Sequence, residues 1–166
     1  AAYGLEGKIT LRLSDGFDEI EPFEADDFII CGMGGTLMTE LVSRAYWLKD
    51  PDKRLILQPQ SHAEDIRSYL IHNGFKILYE DACTDSGKLY CAMAVEFTGE
   101  EREFSAAYPY TGELTKCGKP EAKEYIIKIK EHLAKKYEAQ YDFGSAHEAE
   151  RLKMIIDETE ALIDEM

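Results

Sequence analysis

The chain has 166 residues, 45% of them apolar and 31% charged, a balance typical of one folded domain with a modest appendage. No run approaches the roughly 18 apolar residues of a membrane span, and there is no basic-then-apolar leader, so the expected address is the cytoplasm. A formal net charge of −14 repels phosphate backbones and, taken alone, argues against a nucleic-acid partner.

The chain opens on Ala1, and Ala1 to Gly7 reads as the tail of a helix and a loop, which suits a fragment or a processed terminus. Lys8 to Leu13 alternates in polarity and stops at Ser14-Asp15-Gly16, predicting a strand and turn; a short helix is expected over Asp18 to Glu21. Phe28 to Cys31 is a buried-strand run that ends at Gly32-Met33-Gly34-Gly35, and a helix follows from Thr36 to about Lys49. Leu55 to Leu57 is the next buried strand, ending at Gln58-Pro59-Gln60. Helical spacing over His62 to Ile71 then closes at Asn73-Gly74.

Phe75 to Cys83 and Leu89 to Phe97 flank a glycine-bearing turn and predict a β-hairpin. Residues 100–119 are polar and irregular. Beyond Pro120 the heptad-like sets Ala122, Ile126, Ile129, Leu133, Tyr137 and Leu152, Ile156, Thr159, Ile163, Met166 predict two antiparallel helices reversing near Gly144. The expected organisation is an α/β unit at 1–99, a connector at 100–119 and a coiled-coil hairpin at 120–166. That hairpin, or an exposed sheet, could support self-association.

The chemistry concentrates at the two strand-to-helix joints, since ligands of α/β sheets gather at the carboxyl ends of parallel strands. Glycines at 32, 34 and 35 let backbone approach a ligand and expose amides at a helix start; they equally suit a tight turn without a ligand. Neither the dinucleotide fingerprint nor the phosphate-loop ending is present. Asp15 can accept hydrogen bonds from an adenine amino group or a ribose, or simply form an Asp-Gly turn. Gln58 and Gln60 can read a base edge or merely end a strand, with Pro59 as punctuation.

His62 is either a helix-start residue or a functional one, and His72, His132 and His147 lack an evident catalytic partner. Arg44, Lys49, Lys53 and Arg54 form the one compact basic patch, readable as a phosphate-contacting rim or as plain surface. The cysteines at 31, 83, 91 and 117 lack metal-ligand spacing and read as packed thiols, although Cys83 and Cys91 could face each other across the hairpin.

In combination, Ser14-Asp15-Gly16-Phe17, Cys31-Gly32-Met33-Gly34-Gly35 and Arg54-Leu55-Ile56-Leu57-Gln58-Pro59 resemble the bacterial TrmK family. His62 with Ile66-Arg67, the hairpin around Asp85 to Tyr90 and the terminal helices fit the same pattern. The resemblance implies a class I, Rossmann-like methyltransferase sheet that binds S-adenosyl-L-methionine and methylates N1 of an adenine in tRNA. Lys8 to Leu13 would then be its third strand, Phe28 to Cys31 its fourth and Leu55 to Leu57 its fifth. The same resemblance implies cofactor contacts at Asp15, Gly16, Cys31 and Gly32, and a methyl-transfer pocket at Met33, Gly34, Gly35, Gln58 and Pro59. It further implies RNA contacts at Arg44, Lys53, His62 and Arg67.

The family's first glycine-containing cofactor motif and the acidic residue after its second strand have no counterpart here. The expectation is therefore a fragment whose first two strands are absent and which is inactive by itself. The absent part could also supply a basic tRNA surface. The competing expectations are a non-catalytic interaction module, marked by an exposed apolar stripe at Ile126, Ile129 and Leu133, and a dinucleotide-dependent enzyme using Gly32 to Gly35.

Overall fold

The computed structural model describes residues 4, 7–100 and 102–166. Strand β1 (Asp27–Met33) leads into helix α1 (Gly35–Arg44) and a 3-10 turn at Tyr46–Leu48; β2 (Arg54–Pro59) leads into α2 (Ala63–His72). A hairpin of β3 (Phe75–Asp85) and β4 (Lys88–Phe97) follows. After a four-residue helix α3 (Tyr108–Thr111) and a 3-10 turn at Leu114–Lys116, the long helices α4 (Pro120–Phe143) and α5 (Ala146–Glu165) complete the chain. The mixed α/β class and the helical carboxyl-terminal region are those read from the sequence.

The sheet order is β1-β2-β4-β3, with β1 and β2 parallel and the other pairs antiparallel. The helix between β1 and β2 is the crossover that a parallel pair requires. In β1, Phe28 and Ile30 point into a core shared with Leu55, Leu57, Met93 and Val95, against Met38 and Val42 of α1 and Ile66 and Leu70 of α2. Strand alternation puts Ile29 on the opposite face of β1, where it is 72% exposed.

The helix expected to reach about Lys49 ends at Arg44, and two expected elements do not form. Residues 8–13 form no strand: Leu11 and Leu13 are 91% and 98% exposed and no backbone ladder holds them. Alternation supplies the pattern of a strand, but a strand also needs a neighbour, and β1 pairs only with β2. Asp18 to Glu21 is a run of separate turns (Asp18 N–H to Asp15 O, Ile20 N–H to Phe17 O) and not a helix. So short a segment cannot repay helix nucleation; Phe17 instead packs edge-on against Phe28 and Trp47.

The hairpin register sets Cys83 opposite Tyr90 and Cys91 opposite Ala82, so the two thiols are not cross-strand partners, and all four cysteines are free. Burial pushes the Cys91 thiol up from its usual value. The apolar stripe of the terminal helices is covered. Ile126 sits among Ala82, Cys91 and Leu114 of the sheet and connector, and Leu133 packs with Leu152 and Ile155 of α5. Both are buried, and Ile129 between them is half-buried at the edge of a cleft, so these three residues do not form the exposed stripe expected of an interaction module.

The connector is more ordered than its composition suggested, and the reason is a buried ion pair. Arg67 lies on the inward face of α2 beside Ile66 and Leu70, fully buried. Its Nε donates to Glu80 Oε1 at 2.8 Å, and its Nη1 donates to the carbonyls of Pro109 and Tyr110. The second Glu80 oxygen accepts the Glu113 N–H at 2.6 Å. Desolvation opposes the Arg67 charge, but Glu80 beside it more than offsets this, and the guanidinium is held more firmly charged than in water. Gly112 closes the lock: its φ is +53°, and an added Cβ would lie 1.8 Å from Glu80 Oε2.

Candidate functional site

The two joints meet at the carboxyl ends of β1 and β2. Cys31 pairs with Gln58 and Met33 with Pro59, so Gly32 is one residue too many in β1 and bulges. It can do so because its φ is +83°. The bulge is tied down from β2, whose Gln58 Oε1 accepts the Gly32 N–H at 3.1 Å. Gln60 N–H then donates to Met33 O at 3.0 Å, and Gly35 N–H to Ser61 O at 2.7 Å. The two loops are thus laced together backbone to backbone.

The three glycines differ in what they do. Gly35 starts α1 against the other loop: a Cβ there would lie 2.0 Å from His62 O and 2.7 Å from His62 C. Gly34 has an ordinary extended backbone (φ −70°, ψ 147°), and a Cβ would meet only Ser61 Oγ, at 3.1 Å. Gly35 is therefore needed for packing, whereas the space at Gly34 faces the loop of β2. Gly35→Ala forces backbone against backbone and should cost about 3 kcal/mol, the upper end for overpacking. A thermal midpoint lowered by roughly 6–12 °C is the expected reading, and an unchanged midpoint would show that the loops separate freely.

His62, at the start of α2, has a left-handed backbone (φ 51°) and an exposed ring, its Nδ1 3.5 Å from Glu64 Oε1. Such a conformation is uncommon outside glycine, and residues held there cluster at functional loops. Thr36 Oγ1 donates to Asp65 Oδ2 at 2.6 Å and joins the first turns of α1 and α2.

The remaining residues singled out in the sequence divide. Asp15 and Arg44 find each other: Arg44 Nη1 and Nη2 both lie 3.3 Å from Asp15 Oδ2, which fixes the 14–18 loop onto α1. The Asp15 side chain is still 75% exposed. Gly16 has φ +60° and presses on Leu41, whose Cδ2 would be 2.4 Å from a Cβ.

Two cations placed at an RNA surface are not available to one. Lys53 is buried, its Nζ donating to Ala25 O and Asp26 Oδ1. Arg67 is the buried lock described above; its place beside Ile66 and Leu70 in the helical period marks it as inward-facing.

A cleft of about 720 Å³ begins where this joint ends. Gln60, Ser61 and His62 form one wall; the hairpin turn at Gly87 and Lys88 and the face of α4 carrying Lys128, His132 and Lys136 form the others. The sequence reading missed it, although Lys-x-x-x-His-x-x-x-Lys at helical spacing in so acidic a chain was a legible signal.

Residues 1–93 match a protein family described as Methyltransferase domain. Over 93 residues the chain is 34% identical to the tRNA (adenine(22)-N(1))-methyltransferase of Bacillus subtilis, a match covering 56% of this chain and 39% of that protein. A putative tRNA methyltransferase of Mycoplasma pneumoniae is 28% identical over 55% of this chain and 42% of its own length. The chain thus spans about two fifths of the curated relatives that it matches. The crystal structure of the B. subtilis M1A22 tRNA methyltransferase TrmK superposes with a TM-score of 0.77 at 27% identity, covering 98% of this chain and 72% of that one. A Streptococcus pneumoniae protein solved in complex with S-adenosyl-L-methionine gives 0.74 at 28%, with the same coverage. By its match over residues 1–93 the chain belongs to the methyltransferase-domain family, and within it is similar to the TrmK proteins.

Proposed function

We propose that the protein carrying this chain transfers a methyl group from S-adenosyl-L-methionine to N1 of an adenine in tRNA, in the cytoplasm. The observation that carries this reading is the laced joint: Gly32 to Gly35 of β1 against Gln58 to Ser61 of β2, at the ends of adjacent parallel strands. Likeness to tRNA methyltransferases supplies the substrate class.

The residues present suit the cofactor as far as they reach. Asp15, largely exposed and engaged only by Arg44 and its own loop, can accept hydrogens from an amino group. Cys31 and Gly32 are exposed at the joint. When bound, S-adenosyl-L-methionine supplies an electrophilic methyl carbon on its sulfonium.

Adenine N1 carries a free lone pair once its base pair is broken, so the chain needs no general base, only a base held out of the stack and aligned. Met33 and Gly34 shape the space for the target base. Gln58 keeps the Gly32 bulge in place and Pro59 ends the strand.

Calorimetric titration of S-adenosyl-L-methionine into the protein expressed from its natural start codon tests the cofactor assignment, with a nicotinamide dinucleotide as comparison. Saturable binding of the first alone is expected. Binding of the dinucleotide alone would replace the reading with that of a dinucleotide-dependent enzyme.

A further inference from the structure

We infer that the cleft between the β2–α2 loop, the hairpin turn and α4 is a second RNA subsite, holding the phosphates and one base of the nucleotides next to the target adenine. This rests on the reading of an RNA methyltransferase given above. Three observations carry it.

The first is position. Ser61 lines the cleft and also faces Gly34, its Oγ 3.1 Å from where a Cβ on Gly34 would stand. The cleft therefore adjoins the position of the target base, within reach of a neighbouring nucleotide that passes Ser61 and His62.

The second is charge. The chain is strongly acidic, yet the cleft is lined by Lys88, Lys128 and Lys136 with His62 and His132, and Glu64 is its one carboxylate residue. Most arginines and many lysines elsewhere are paired to carboxylates, such as Arg12 to Glu24, Arg54 to Asp27 and Lys119 to Asp81. Among the described residues Lys88 and Lys136 form no ion pair, while Lys128 is shared with Glu124 at 3.0 Å. Other described lysines, such as Lys123 and Lys135, are unpaired too, so what sets the hollow apart is three lysines and two histidines around one glutamate, the balance a polyanion requires.

The third is spacing and surface. Lys128, His132 and Lys136 stand four residues apart on one face of α4, in steps of about 6 Å along its axis. That step is close to the separation of successive phosphates in an extended strand. Tyr90 and Tyr110 add ring surface, and base–aromatic stacking tolerates any base. Tyr110 belongs to the connector and is kept there by Arg67, which holds its carbonyl. The buried lock thus supports the cleft as well as the fold.

Fluorescence anisotropy of a labelled tRNA transcript is the test, comparing wild type with the double variant Lys88→Gln, Lys136→Gln. Lys76→Gln, at the opposite end of the hairpin, is the control. The double variant should raise the Kd roughly tenfold and reduce the slope of log affinity against log salt by about 1.4–1.8. Its thermal midpoint and S-adenosyl-L-methionine titration should not change. An unchanged Kd, an equal loss in the control or no tRNA binding by wild type would each overturn the inference. So would displacement of the tRNA by polyglutamate at matched charge, which would make the cleft a site for acidic protein. If the double variant weakens tRNA binding while wild type methylates no adenine, the subsite stands and the proposed activity falls.

Discussion

Arg67→Ala should be the most damaging single substitution in the chain, lowering stability by roughly 3–5 kcal/mol, the usual cost of removing one member of a buried ion pair. Both side chains are fully buried, and the Glu80 carboxyl group would be left with only the Glu113 N–H to answer it. The connector would lose the anchor at Pro109 and Tyr110 as well. Urea unfolding at neutral pH measures the loss. The double variant Arg67→Met, Glu80→Leu should be less destabilised than Arg67→Ala, because apolar replacement of both partners removes the stranded carboxyl group. A loss below about 1 kcal/mol for Arg67→Ala would mean that water reaches Glu80 and that the pair is not the lock it resembles.

Gly34→Val should have the largest effect on turnover. Its backbone is in an ordinary extended region, so valine imposes no conformational strain, and the methyl groups enter the space facing Ser61. The expected result is methyl transfer reduced about a hundredfold or more, since a displacement of about 1 Å at a reacting centre costs that much. Stability should fall by no more than about 1–3 kcal/mol. Transfer and unfolding assays on one preparation decide the point. Near-normal turnover would remove Gly34 from the site, and a collapsed fold would make it a packing glycine like its neighbour Gly35.

The contrast between these residues shows where the sequence was legible. Phe28 to Cys31 and Leu55 to Leu57 announce strands by composition, and the glycines and Gln58-Pro59 mark where they end; composition overstates burial for β1, an edge strand in which Ile29 and Cys31 are exposed. The β1–β2 joint follows because parallel neighbours deliver their ends to one rim. Lys8 to Leu13 misleads for the converse reason: polarity along a segment shows what its faces want, while pairing depends on a partner the segment cannot encode. Arg67 misleads because arginine is so rarely buried that charge outweighs position, although Ala63, Ile66, Leu70 and Ile71 share its helical face. The cleft could not be foreseen as a cavity, since it joins residues 60–64, 87–90, 110 and 125–136 through the fold. Only its stripe on α4 lay within one segment.

The decisive measurement is methyl transfer from S-adenosyl-L-[methyl-³H]methionine to unmodified tRNA by the protein expressed from its natural start codon, followed by digestion to nucleosides. Label recovered as 1-methyladenosine, and lost with Gly34→Val, is the predicted result. No transfer despite bound cofactor, or label on another nucleoside, would contradict it.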